Sequence, residues 1–220
     1  MLNILFPKVC GGCKGLISSN EDVLCVDCRH QIPLTQLHKI ENQILKDKFY
    51  GRFPLVNATS LIYFQKRGLT QELMHDLKYR GHKDISNFFG KWLGAELAEI
   101  PAYQDIEMVI PVPLHKQKLR KRGYNQVEGF GIEIAKALNV PYRDDILIKV
   151  SKTSSQVFKT RILRFEAEEV FTVQNIDEVK NLHLLLVDDI VTTGATLEYC
   201  ALQLLKGENV KISVATIATT

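Results

Sequence analysis

One stretch constrains this chain more than any other. The apolar run His183-Leu184-Leu185-Leu186-Val187 leads directly into Asp188-Asp189-Ile190-Val191-Thr192-Thr193-Gly194-Ala195-Thr196. A continuous apolar run bounded by polar residues is the pattern of a strand buried on both faces, hence of a parallel sheet covered by helices. The two aspartates fall at the carboxyl end of that strand, where open α/β sheets bind their ligands. Carboxylates there can accept hydrogen bonds from two vicinal hydroxyls, such as those of a ribose. The turn Thr192–Thr196 offers backbone N–H groups and three hydroxyls to a phosphate. Gly194 allows close backbone approach and a positive φ. A helix expected over Gly194–Lys206 would place its N-terminal dipole at the same phosphate. The same residues also fit a plainer arrangement, a strand ending in two solvated acids followed by a threonine-capped helix. The string is not a Walker loop, since no G-K-[ST] follows, and no dinucleotide loop is present, since G-x-G-x-x-G is absent.

The rest of the second half keeps a strand–helix rhythm. Met108–Val112, residues 145–150, Phe171–Val173 and Val210–Thr216 read as strands, and Asn125–Asn139 reads as an amphipathic helix. This alternation predicts an α/β sheet with helices on both faces. In the first half, residues 58–65 read as a strand. Gly68–Tyr79 and residues 84–99 read as helices, the second closed by Pro101. Leu37, Ile40, Ile44 and Leu45 have helical spacing within 35–50. A chain of 220 residues suits one medium domain with a small appendage. A net charge of +3 permits an anionic ligand without by itself arguing for nucleic acid. No stretch approaches the roughly 20 apolar residues of a membrane span. The start, Met1–Val9, is too short for a secretory signal. The expected location is the cytoplasm, with that short apolar start packed on the domain behind it.

Two further segments carry chemistry. Residues 110–126 (IPVPLHKQKLRKRGYNQ) contain Lys116, Lys118, Arg120, Lys121 and Arg122 with no acid among them. The sequence reads as a loop between a strand end and a helix beginning near Asn125. It is either a solvated cationic face or a site for pyrophosphate or a nucleic-acid backbone. His115 lies in the same loop, within reach of such a phosphate. The other histidines read as surface residues. The second segment holds Cys10-x2-Cys13 and Cys25-x2-Cys28, separated by eleven residues. Two CxxC turns supply four thiolates, the set for tetrahedral structural zinc, and Gly11 and Gly12 ease the first turn. Unligated or disulfide-bonded cysteines are the alternative. Cys200 stands alone in an apolar helix and reads as core packing.

The string from Val187 to Thr196 resembles the ribose-phosphate signature of type I phosphoribosyltransferases. That resemblance implies Asp188 and Asp189 for ribose, and Thr192, Thr193, Gly194, Ala195 and Thr196 for the 5-phosphate of phosphoribosyl pyrophosphate. Taken with the CxxC pairs, the segment 110–126 and the tetrad Lys78-Tyr79-Arg80-Gly81, the chain is similar to the ComF family over nearly its whole length. The resemblance implies a type I phosphoribosyltransferase-like fold with a four-cysteine knuckle, and a pyrophosphate loop of Arg120, Lys121, Arg122 and Gly123. It implies zinc at Cys10, Cys13, Cys25 and Cys28, and magnesium accompanying phosphoribosyl pyrophosphate. It further implies a role in natural transformation, with single-stranded DNA and a helicase-like competence protein as partners. An active phosphoribosyltransferase of nucleotide metabolism with an unassigned acceptor, and a sensor without turnover, are the rival functions. The expected organisation is a knuckle over 1–33, a linking region over 34–105 and a phosphoribosyltransferase-like domain over 106–220. The stretch 149–167 departs from the family pattern. Lys149 replaces an arginine ahead of Thr153 and Gln156, and Arg164 is followed by Ala167 where an asparagine is usual. No catalytic residue is assigned there.

Overall fold

The computed structural model describes residues 7–40, 44–151 and 169–220. The expectations for Thr153, Gln156, Arg164 and Ala167, and for the first six residues, lie outside them. In chain order the elements are α1 (Val26–Gln31), α2 (Ile44–Asp47), β1 (Ala58–Tyr63), α3 (Leu69–Tyr79), α4 (Lys83–Ala98), β2 (Met108–Pro111), α5 (Lys116–Arg122) and α6 (Glu128–Leu138). They continue with β3 (Leu147–Ser151), β4 (Glu169–Val173), β5 (His183–Val191), α7 (Ala195–Leu204) and β6 (Lys211–Thr219). Four strands form one sheet in the order β1-β6-β5-β2, and all three pairings are parallel. β3 and β4 pair antiparallel as a separate ribbon.

The apolar run read from the sequence is the strand that β6 and β2 enclose. Its side chains alternate between two cores, as a strand's two-residue period requires. Leu185 and Val187 of β5, with Val109 of β2, join the core under α3, α4 and α6. Leu184 and Leu186 of β5, with Ile110 of β2, join the core under α7, the β3–β4 ribbon and the segment around Phe49. Val23, Leu24 and Ile32 of the cysteine segment are buried in the first of these cores. Among the described residues, no helix is long and apolar enough to cross a membrane.

The structure corrects three readings. The helix expected over 35–50 is reduced to the single turn α2 between other turns, with Ile40 and Ile44 exposed and Leu37, Leu45 and Phe49 buried. The basic loop contains a helix, α5, none of whose residues is buried. His38 and His183 are buried rather than superficial. His38 lies between Thr59 Oγ1 (3.2 Å) and Glu96 Oε2 (2.6 Å), and His183 Nε2 meets Ser213 Oγ at 2.9 Å. Burial pushes the His38 imidazole below its ordinary pKa, against the opposing pull of Glu96.

Candidate functional site

Strand register decides where the candidate residues meet. β2 pairs with β5 as far as Pro111 opposite Val187, and the Val112 N–H donates to Val187 O at 2.8 Å. β6 accompanies β5 further, to Val191 opposite Thr219. Asp188 and Asp189 therefore lie inside β5, in the stretch that has outrun its pairing with β2. Because β2 and β5 are parallel neighbours, the connections leaving their carboxyl ends emerge at the same edge of the sheet. One of these is the turn Thr192–Gly194, and the other leads through α5.

Asp188 and residues Ile190–Leu197 line one small cleft. Gly194 sits at φ 79°, in the left-handed region, immediately before α7. A Cβ at that position would lie 2.6 Å from Cε1 of Phe49, so two independent constraints select glycine there. Thr192, Thr193 and Thr196 are exposed. N–H groups of the first turn of an α-helix have no intrahelical acceptors, so the start of α7 faces the cleft with donors. Thr193 Oγ1 accepts a long bond, 3.5 Å, from Ala195 N–H.

The two acids are not equivalent. By strand parity Asp188 belongs to the face of α7 and Asp189 to the face of α3. Asp189 does not line the cleft; its Oδ2 is held 2.9 Å from Lys78 Nζ. Asp188 Oδ1 accepts the Asp189 N–H at 2.8 Å. Desolvation, reinforced by the charge of Asp189, pushes the Asp188 carboxyl up to about 8, while that backbone hydrogen bond, Lys78 and Lys149 oppose the shift. The buried Cys200 thiol is pushed well up for the same reasons, burial first and the charge of Asp188 second.

Helix α5 is capped at its start by His115, whose Nδ1 accepts the Gln117 N–H at 3.2 Å. It ends at Gly123, which adopts φ 79°. Arg120 and Lys121 are exposed. Arg122 bends back, donating to Gln126 Oε1 at 2.7 Å and lying 5.3 Å from the centre of the Tyr79 ring. Asn125 Nδ2 donates to Val112 O at 3.0 Å, which ties the end of this segment to the end of β2. Tyr124 OH donates to Leu77 O.

Sequence reasoning gave no role to three residues that touch this region. Lys78 was visible only as part of a tetrad. Lys48 Nζ donates to Thr192 O (3.1 Å) and Thr220 O (2.7 Å). Arg52 Nη1 donates to Thr193 O at 2.8 Å and pairs with Glu198 at 3.2 Å. The segment around α2 thus braces the carbonyl side of the turn Thr192–Gly194, leaving the N–H side to the cleft. No local pattern signals contacts across more than 140 residues.

The four cysteines of the two CxxC turns converge, with all Sγ atoms within 4.8 Å of one another. Cys13 and Cys25 Sγ are 3.7 Å apart. Four thiolates about 2.3 Å from one zinc ion are separated by roughly 3.8 Å in a tetrahedron, so the donor set and its spacing fit that metal. Cys10 Sγ accepts N–H bonds from Gly12 and Cys25, each at 3.3 Å, and Cys25 Sγ accepts one from Cys28 at 3.4 Å. Gly12 is required for closure, because a Cβ there would stand 2.9 Å from Cys28 Sγ and 2.3 Å from Leu69 Cδ1. Lys14 then anchors the knuckle to α3 through the buried Asp76, at 2.7 Å.

Several known proteins are similar to this chain in sequence. Residues 128–220 match the phosphoribosyl transferase domain family. The chain is 25% identical over 212 residues to the competence protein ComFC of Bacillus subtilis, covering 96% of this chain and 83% of that one. It is 25% identical over 146 residues to the DNA utilization protein YhgH of Escherichia coli O157:H7, covering 64% of this chain and 63% of that one. Among solved structures, a hypoxanthine phosphoribosyltransferase from Staphylococcus aureus overlaps 63% of this chain and 65% of its own, with 18% identity and a TM-score of 0.39, a likeness too loose to locate residues by.

Proposed function

Taking as premise that this is a ComF-type protein with a phosphoribosyltransferase domain, we propose that it binds phosphoribosyl pyrophosphate at the carboxyl ends of β2 and β5. In this reading Thr192, Thr193, Gly194, Ala195 and Thr196 take the 5-phosphate on the N–H groups at the start of α7. Asp188 and Asp189 take the ribose hydroxyls, and Arg120, Lys121, Arg122 and Gly123 take the pyrophosphate. Magnesium supplies charge neutralisation on the pyrophosphate when the ligand is bound. Zinc on Cys10, Cys13, Cys25 and Cys28 has a structural part, since a four-thiolate site has no open position for chemistry. The linking region 34–105 is then part of the binding unit, because α2 and α3 abut the turn and the acids. The observation that carries the reading is the juxtaposition of two connections on adjacent parallel strands, one cationic and one ending at a left-handed glycine before a helix.

Calorimetry on the full chain tests it. Asp188→Asn combined with Asp189→Asn is expected to abolish binding of phosphoribosyl pyrophosphate, and unchanged affinity would refute the assignment. Turnover is a separate question, answered by screening bases, amines and single-stranded DNA for pyrophosphate release. If turnover occurs, the protein's part is electrostatic, with cations on the leaving group and acids on the ribose. The names of the relatives support placing the activity in DNA uptake and natural transformation. The exposed cationic α5 supports a nucleic-acid backbone as a second ligand. Charge reversal at Arg120 and Arg122 is expected to weaken single-strand binding and flatten its salt dependence. Binding indifferent to both would count against a DNA contact at α5.

A further inference from the structure

Three consecutive residues at the end of α3 each reach a different part of the candidate site. Leu77 O accepts from Tyr124, which follows α5. Lys78 Nζ lies 2.9 Å from Asp189 Oδ2. Tyr79 places its ring under the guanidinium of Arg122. Among the described residues, Lys78 is therefore a cation that touches one of the acids assigned to ribose and is flanked in sequence by two residues that touch the segment assigned to pyrophosphate. In phosphoribosyl pyrophosphate the atoms where ribose meets pyrophosphate are C1 and the phosphate directly attached to it.

Lys78 touches only Oδ2 of Asp189, and a ribose hydroxyl donating to the same carboxylate loosens its hold on the lysine. An ammonium carries three N–H donors, so Lys78 can turn toward a second anion as that hold loosens. The lysine side chain is 23% exposed and long enough to swing without moving α3. Lys149 also acts on this acid pair, but from the Asp188 side, where its Nζ lies 5.0 Å from the centre of the Phe171 ring.

We infer that Lys78 is a diphosphate-binding residue: it holds Asp189 in the ligand-free protein and transfers to the phosphate attached at C1 when phosphoribosyl pyrophosphate binds. This rests on the ligand assignment proposed above, and the test separates the two. The affinities of the full-length wild type, Lys78→Met and Lys78→Arg are measured by calorimetry for three probes with magnesium: phosphoribosyl pyrophosphate, inorganic pyrophosphate and ribose 5-phosphate. Lys78→Met is expected to weaken the first two roughly ten- to hundredfold, the range of a charge-assisted hydrogen bond. Ribose 5-phosphate, which lacks the diphosphate, should bind that variant within about twofold of wild type. Lys78→Arg should retain most of the affinity, and the melting temperatures verify that both variants are folded. Equal losses for ribose 5-phosphate and phosphoribosyl pyrophosphate would overturn the inference, because Lys78 would then act only by holding Asp189. No loss for any probe would overturn it as well. A wild type that binds none of the three would instead overturn the ligand assignment, and this inference with it.

Discussion

Replacing Gly194 with alanine meets two separate obstacles, and they can be measured apart. The backbone at φ 79° is disfavoured for an L-residue by about 1–2 kcal/mol. The new methyl would also stand 2.6 Å from Cε1 and 3.2 Å from Cδ1 and Cζ of Phe49. Phe49 is buried with its ring edge-on to Phe53, so it cannot simply swing away. Forcing extra volume into such packing costs about 1–3 kcal/mol. Alanine recovers about 0.4–1 kcal/mol by narrowing the unfolded ensemble. The net expectation is a loss of about 1–5 kcal/mol, at about 2–4 °C of melting temperature per kcal/mol for a chain of this size. Chemical denaturation of wild type, Gly194→Ala, Phe49→Leu and the double variant closes a cycle. The steric part should appear as a favourable coupling of about 1–3 kcal/mol in the double variant, with the backbone part remaining. Additivity within about 0.5 kcal/mol would show that Phe49 does not press on this turn. A Gly194→Ala protein as stable as wild type would refute the left-handed turn itself, and with it the geometry that aims the N–H groups of α7 into the cleft.

Two further outcomes follow from the same structure. Metal analysis should find about one zinc per chain, as four convergent thiolates imply. A chelator should then lower the melting temperature, and a metal-free protein that melts unchanged would contradict the knuckle. The Asp188 carboxyl is raised to about 8, so between about pH 4 and 8 the folded chain binds more protons than the unfolded chain. This group's contribution to stability is therefore largest at the acid end of that window and declines as pH rises through it. Asp188→Asn should flatten the slope relative to wild type, and an identical slope in the two proteins would contradict the raised carboxyl.

The parts of the fold legible in the sequence are those where local pattern and tertiary demand coincide. The run His183–Val187 had to be buried on both faces, and it is enclosed by two parallel neighbours. α3 and α4 follow their apolar periodicity to within a residue. Helix α5 was hidden because no side chain on it is buried, so it carries no hydrophobic period; its signals were only the capping His115 and the left-handed Gly123. The segment 35–50 misled in the opposite way. Its apolar residues have helical spacing, yet Leu37, Leu45 and Phe49 are drawn into the core on the α7 side of the sheet while Ile40 and Ile44 face solvent. Tertiary packing overrides a weak local preference there. The strand end, the turn and the left-handed glycine could be read because Asp188 to Gly194 lie in one stretch of sequence. The contacts of Lys78, Lys48 and Arg52 could not, since they join elements remote along the chain. The inequivalence of Asp188 and Asp189 follows from strand parity, but only once β5 is known to continue through both.

The central claim is that the turn after β5 and the segment after β2 hold one phosphorylated ribose between them. Its most direct measurement is a calorimetric titration of the full chain with phosphoribosyl pyrophosphate and magnesium, repeated in the presence of excess ribose 5-phosphate. The expected result is one saturable site per chain that ribose 5-phosphate competes for, because both ligands place the same phosphate on Thr192–Thr196. Absence of saturable binding, or binding that ribose 5-phosphate leaves untouched, would contradict it.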